Sequence, residues 1–275
     1  MMDTVITPLG TVSPYPKGDK NCPGFLIQYS NDKIMLDCGN GCTRLLDLTS
    51  YLDNLKIFIT HLHSDHFGDL LSLIPTIYVY KKLGLISNDP EIYIPSDDVI
   101  NADTYYNRKG RCIENIDVNL REFELLKDLS SKYGIELRPY TNLKNLKIND
   151  IIITTQKVSH PIKTNAFKVD TPNGSIVYSA DTGPNNNLGE FAKDCDLFIC
   201  EATYLKGQYR SNLDHLYAYE AASIAKCTSV KKLLLTHFWP EIEKCEYLKE
   251  AISIFPNTDV AEEGKKLILR RDING

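Results

Sequence analysis

Residues 60–70 read THLHSDHFGDL and hold three of the six histidines of a 275-residue chain, with two aspartates among them. A stretch this rich in imidazole and carboxylate constrains the fold more than any apolar pattern does. Rigid elements must hold the donors in one place, and other donors must arrive from elsewhere to complete a site. His61 and His63 stand two residues apart, in what reads as an extended turn after the apolar run 56–59, so their rings can converge on one ion. Asp65 and His66 come just before a helical pattern and point from a different part of the turn, which suits a second ion. Imidazole and carboxylate are donors that zinc accepts at about 2.0–2.2 Å. One loop cannot close two sites. Three further candidates each end a predicted strand: His160 after 151–158, Asp181 after 175–179 and His237 after 231–235. Strand ends along one sheet edge are where active sites are commonly assembled.

The rest of the chain reads as an α/β fold with α+β character. Runs 25–29 and 33–36 form a hairpin pattern, as do 166–170 and 175–179 around Pro172-Asn173-Gly174. Runs 151–158, 196–200 and 231–235 read as further strands. Residues 69–82, 122–133, 218–227 and 246–255 have helix spacing. Hairpins dominate early and strands alternate with helices later, which predicts two packed sheets with helices outside. A single domain over 1–275 is expected. Residues 84–115, weakly patterned and containing Tyr93, Tyr105 and Tyr106, read as an inserted lid. The net charge of −5 disfavours a protein whose main work is gripping nucleic acid, so no stable nucleic-acid partner is expected. No apolar run is long enough to span a membrane, and the first residues, MMDTVITPLG, lack the pattern of a secretory signal. Cytoplasmic localisation is the expectation. None of the eight cysteines forms a CxxC pair, and reduced, mostly buried thiols are predicted.

The motifs, taken in order, resemble the metallo-β-lactamase superfamily and, within it, the ribonuclease Z-like phosphodiesterases. PLGTVSPYP near the start, LDCGNG at 36–41, HLHSDH at 61–66, CEATY at 200–204 and DHL at 214–216 carry the resemblance. It implies a four-layer αβ/βα sandwich. It also implies two Zn²⁺ per subunit: His61, His63 and His160 on one, Asp65, His66 and His237 on the other, and Asp181 bridging them. Asp37 would orient a ligand histidine. Nitrogen and oxygen donors also admit Mn²⁺.

The chemistry follows from those donors. Two zinc ions lower the pKa of a shared water toward neutrality. Asp65 and Asp181 leave the centre net positive, which favours a phosphodiester anion over a neutral thioester or lactam. His215 is the sixth histidine. On its own it could simply start a helix. In the resembling enzymes a glutamate, here Glu201, orients this histidine, which assists the leaving oxygen. An imidazole held by a carboxylate has a raised pKa and a proton available near neutral pH. Tyr217 stands where related sequences carry a Ser or Thr helix cap, a role that tyrosine does not fill, while Glu220 remains the right residue type.

Members that process transfer RNA carry a long arm between the equivalents of His160 and Asp181. Only one hairpin fits there in this chain. The resemblance is therefore closest to the armless cyclic-nucleotide phosphodiesterases, the anti-Pycsar proteins. It implies hydrolysis of 3′,5′-cyclic nucleotides (cCMP, cUMP, cAMP, cGMP) to 5′-monophosphates, with Asp65 orienting the nucleophile. It also implies a homodimer in which 84–115 closes over a neighbouring subunit and Tyr105 or Tyr106 stacks on a base. The rival expectations are a tRNA 3′-processing endoribonuclease, a thioester or lactone hydrolase, and a metal-binding protein without catalysis.

Overall fold

Side chains along a strand alternate between its two faces, so a strand buried on both sides is apolar throughout yet feeds two different cores. The computed structural model describes residues 2–96, 118–208 and 214–270, and this double burial organises it. Fourteen strands occur among the described residues. They are β1 (Thr4–Gly10), β2 (Gly24–Tyr29), β3 (Asp32–Leu36), β4 (Leu55–Phe58), β5 (Glu91–Pro95), β6 (Leu137–Tyr140) and β7 (Leu146–Ile148). They continue as β8 (Ile151–Lys157), β9 (Asn165–Thr171), β10 (Gly174–Tyr178), β11 (Leu197–Glu201), β12 (Lys232–Thr236), β13 (Thr258–Val260) and β14 (Leu267–Leu269). One sheet has the order β14-β1-β2-β3-β4-β5-β6 and the other β13-β12-β11-β10-β9-β8-β7.

The two sheets face each other through one set of alternating residues. Phe25, Ile27, Ile34, Leu36 and Phe58 from the first sheet meet Phe167, Val169, Ile176, Tyr178 and Ile199 from the second. The intervening residues look outward. Leu26, Met35, Ile57 and Ile92 pack under Leu70, Leu73, Ile74, Ile77 and Leu126 of helices Leu70–Lys82 and Val118–Tyr133. On the opposite side Val177, Phe198, Cys200, Leu233 and Leu235 pack under helices Asn186–Ala192, Ala218–Cys227 and Lys244–Ile252. The result is the expected helix–sheet–sheet–helix sandwich.

Strand direction then sets where the site is. β3 and β4 are parallel, with Leu36 beside Phe58. Asp37 and the 59–66 segment therefore leave the first sheet at one edge. In the second sheet β10, β11 and β12 are mutually parallel. β8 and β10 are each antiparallel to β9 and so run the same way as each other. The residues that follow β8, β10 and β12 thus emerge together.

The structure corrects one expectation. The segment 84–96 is not all lid: Glu91–Pro95 is strand β5, paired between β4 and β6. Tyr93 belongs to the inter-sheet core. Tyr105 and Tyr106, with the rest of 97–115, lie outside the described residues. The described cysteines are free thiols. No helix among the described residues is long and apolar enough to cross a membrane.

Candidate functional site

The histidine-rich segment is pinned by backbone to the turn that follows β3. Asp37 N–H donates to the Phe58 carbonyl, Cys38 N–H to the His66 carbonyl at 2.7 Å, and Asp69 N–H to the Cys38 carbonyl at 3.0 Å. Gly39 has to be glycine for this contact, because a Cβ there would stand 2.1 Å from the Asp65 carbonyl oxygen. Asp69 accepts from Gly41 N–H, Thr43 N–H and the Thr43 hydroxyl at 2.8–2.9 Å and fastens the segment from its far end. His63 stands at the N-cap position of the short helix Ser64–Phe67, which holds Asp65 and His66. Three site residues, Asp37, Ala180 and His237, take left-handed φ of 60°, 53° and 65°. Each lies one or two residues beyond a strand. A non-glycine residue in this region costs about 1 kcal/mol or more, and such conformations persist where the surroundings over-determine them.

Every candidate donor named from the sequence arrives at this edge. His61, His63, His160 and Asp181 form one cluster and Asp65, His66 and His237 a second. His63 Nδ1 lies 3.1 Å from both His61 Nε2 and His160 Nε2. His66 Nε2 and His237 Nε2 are 3.4 Å apart, and they lie 3.7 and 3.8 Å from Asp65 Oδ2. Asp181 divides its oxygens between the clusters. Oδ1 lies 3.2 Å from His66 Nε2 and 3.0 Å from His237 Nε2, while Oδ2 lies 3.6 Å from His61 Nε2 and 4.0 Å from His160 Nε2. Four donors placed tetrahedrally at zinc bond lengths stand about 3.3–3.6 Å from one another, and these separations bracket that value.

Proton bookkeeping supports the fit. A backbone carbonyl only accepts, so His160 Nδ1, 3.1 Å from the Asp214 carbonyl, carries its proton there. His66 Nδ1 donates to Asp37 Oδ2 at 2.7 Å. The Thr60 hydroxyl gives its proton to Asp37 and so accepts from His61 Nδ1. The Thr203 hydroxyl gives its proton to Glu201 and accepts from His237 Nδ1. These four rings therefore turn Nε2 lone pairs toward one another and toward the carboxylates. Asp181 Oδ1 is buried and accepts no hydrogen bond. Lone pairs converging on an orphaned carboxylate oxygen are what a cation site needs. Burial drives His61 well below the usual histidine range, His63 down to about 4, and His160 down as well. Burial also opposes charge on His237, but Asp181 and Asp65 outweigh it and push that ring up to about 10. Asp65 is buried yet is held at about 2, chiefly by His66. The field that would draw a proton onto His237 is the field that would hold a cation.

Beside the clusters lies a histidine–carboxylate pair. His215 Nδ1 donates to Glu201 Oε1 at 2.9 Å, and its ring stacks over His237 with centroids 5.3 Å apart. Glu201 is 1% exposed and also accepts from Thr182 N–H, Leu216 N–H and Thr203. Burial works against a charge on His215, and Glu201 more than offsets it, so the ring titrates above its ordinary value. Its side chain is 18% exposed. Helix Ala218–Cys227 starts as expected: Glu220 accepts from Tyr217 N–H at 2.9 Å, and the Tyr217 hydroxyl goes to the Gln208 carbonyl.

Sequence reading missed Thr60, Thr203, Ser13 and Tyr178 as site residues. Tyr178 donates to Asp37 Oδ2 at 2.9 Å, and Ser13 to Asp65 Oδ2 at 2.9 Å. Thr60 and Ser13 lie inside or beside the quoted motifs, and a buried hydroxyl next to a ligand was the available signal.

The sequence model of one family, described as anti-Pycsar protein Apyc1, matches residues 4–255. A ribonuclease Z of Archaeoglobus fulgidus is 26% identical over 299 aligned positions, covering 94% of this chain and 95% of the relative. Among solved structures, the metallo-β-lactamase fold protein YhfI of Bacillus subtilis superposes with a TM-score of 0.78 at 22% identity, covering 98% of this chain and 100% of that one. The short form of human tRNase Z superposes with a TM-score of 0.69 at 21% identity, covering 96% and 98%. The two superpositions establish the metallo-β-lactamase fold.

Proposed function

The chain belongs to the anti-Pycsar protein Apyc1 family of metallo-β-lactamase-fold, metal-dependent hydrolases, and from that premise we propose that it is a two-metal phosphodiesterase that opens 3′,5′-cyclic nucleotides to nucleoside 5′-monophosphates. His61, His63 and His160 would hold one cation, Asp65, His66 and His237 the other, and Asp181 would touch both. Zn²⁺ or Mn²⁺ bound there supplies positive charge to phosphoryl oxygens and acidifies water. The chain's own groups do the remaining work. Asp65, fixed by Ser13, orients the attacking water. Water adds to phosphorus in line with the bond to the 3′ oxygen and releases one of its two protons to solvent. That bond breaks with its electron pair on oxygen, and His215 Nε2 delivers the proton. Glu201 keeps His215 oriented and protonated for this step.

One observation carries the choice of a small substrate. Between His160 and Asp181 the chain forms only the β9–β10 hairpin, turning at Pro172-Asn173-Gly174. Gly174 takes φ 143°, and a Cβ there would meet Asp196 Oδ2 at 2.5 Å. This turn offers no arm for a folded RNA, and a cyclic mononucleotide needs none. Ribonuclease Z relatives support a second reading, endonucleolytic cleavage at the 3′ side of precursor tRNA. Incubation with cCMP, cUMP, cAMP and cGMP and with precursor tRNA, each with and without chelator, separates the two. Chelator-sensitive release of 5′-monophosphates is expected. Cleavage of the RNA with the cyclic nucleotides intact would overturn the first reading. A homodimer belongs to the same proposal, and sedimentation of the full chain tests it.

A further inference from the structure

Two buried carboxylates serve the site through the same device. Asp37 takes one histidine directly, His66 at 2.7 Å, and a second through a hydroxyl: Thr60 Oγ1 lies 3.0 Å from Asp37 Oδ2 and 2.9 Å from His61 Nδ1. Glu201 takes His215 directly at 2.9 Å and reaches His237 through Thr203, whose Oγ1 lies 2.8 Å from Glu201 Oε2 and 2.9 Å from His237 Nδ1. The same carboxylate–threonine–imidazole chain is built twice, once at the edge of each sheet. All four linking groups are buried: Asp37 and Thr60 at 0%, Glu201 at 1% and Thr203 at 3% exposure. A hydroxyl has one proton. Once it is committed to a carboxylate, the oxygen can only accept, and the ring beyond must present Nδ1–H to it.

We propose that Thr60 and Thr203 are positioning residues that fix the tautomers of His61 and His237, so that Nε2 of each ring is held as a metal donor. Thr203 has a further consequence. It makes Glu201 a shared support for a donor, His237, and for the proton-delivering His215, so disturbance of one reaches the other. The relay rests on the two-metal reading above, and its test reads metal binding without substrate.

The test is a competition titration of the metal-free full chain with Zn²⁺ against a chromophoric chelator. Thr203→Val keeps the shape of the side chain and removes the oxygen. Loss of an outer hydrogen-bond partner of a ligating histidine weakens binding about 10–100-fold, and that loss is expected here. Thr203→Ser, which restores the hydroxyl, should recover most of the affinity. In ¹⁵N-histidine spectra of the zinc-loaded protein, His237 should carry its proton on Nδ1 in the parent and the serine variant. A residue that only filled space would show neither the rescue nor the dependence of the tautomer on the hydroxyl. Equal affinity in parent and valine variant, or a serine variant as weak as valine, overturns the relay. If Thr203→Val fails to fold, the Thr60→Val and Thr60→Ser pair makes the same comparison at His61. A parent that binds no zinc overturns the metal reading itself, whereas a parent that binds and variants that match it overturn only the relay.

Discussion

The two sheets build their halves of the site in different ways. The first concentrates Asp37, His61, His63, Asp65 and His66 on two strand exits and one loop. Local backbone bonds tie that loop to the turn after β3. The second disperses His160, Asp181, Glu201 and His237 over four strand ends. There the positions depend on the register of β8 to β12 rather than on any local motif. The first half is a compact ligand cassette, and the second is a consequence of the whole sheet. These dispersed residues are individually ordinary, yet they include Asp181, whose carboxylate faces both clusters, and Glu201, the partner of His215.

Substitutions across the two halves sharpen that contrast. The largest effect is expected at Asp181, where the halves meet. Asp181→Asn replaces one of the two carboxylate oxygens with an amide nitrogen, so one cluster loses its oxygen and both lose the negative charge, and it should cost more activity than the ~10–100-fold typical of an outer hydrogen-bond partner. Zinc stoichiometry should fall in the same variant, measured by elemental analysis. Next comes His215→Ala, with kcat on a cyclic nucleotide lowered by about 10²–10⁴-fold while zinc content holds. A parallel loss of metal would break the assignment of His215 to proton delivery.

The third is a pH effect. Glu201 raises the titration of His215, and in the proposed mechanism the protonated ring is the working form, so activity should fall on the alkaline side as that proton is lost. Glu201→Gln removes the negative charge. The alkaline limb of kcat should then move to lower pH, read from a full pH–rate profile; a limb that stays put would detach it from His215. The smallest is Asp69→Asn in the cassette. It disturbs charge-assisted bonds to Gly41 and Thr43 and should lower stability by about 1–3 kcal/mol in urea melts, with the active-site pH profile unchanged.

The contrast also explains what could be read from residue order alone. The cassette was legible because its spacing is local, and helix Ala218–Cys227 was legible because its apolar period is strong. His160, Asp181 and His237 were legible only as residues following strand-like runs. β1 escaped notice because Pro8 and Gly10 interrupt it, and the register shifts between those two positions. β6 carries Pro139 and lies at the edge of its sheet, where a missing donor is tolerated. β7, β13 and β14 have three residues each, too few to show a period. β5 was hidden inside a stretch read as an insertion. The hydroxyls of Thr60 and Thr203 each join a near partner, His61 or Glu201, to one distant in sequence, Asp37 or His237, and no spacing rule announces that second partner.

The inter-sheet core is apolar along most of its depth, while the site sits at one margin, with donors hanging from both layers. A cation gripped there behaves as a clasp on the seam of the sandwich. Opening the seam releases the ion, so metal should lend the whole fold resistance to heat by mass action. Chelation would then be felt first as a loosening of two halves from each other, well before either sheet comes apart on its own.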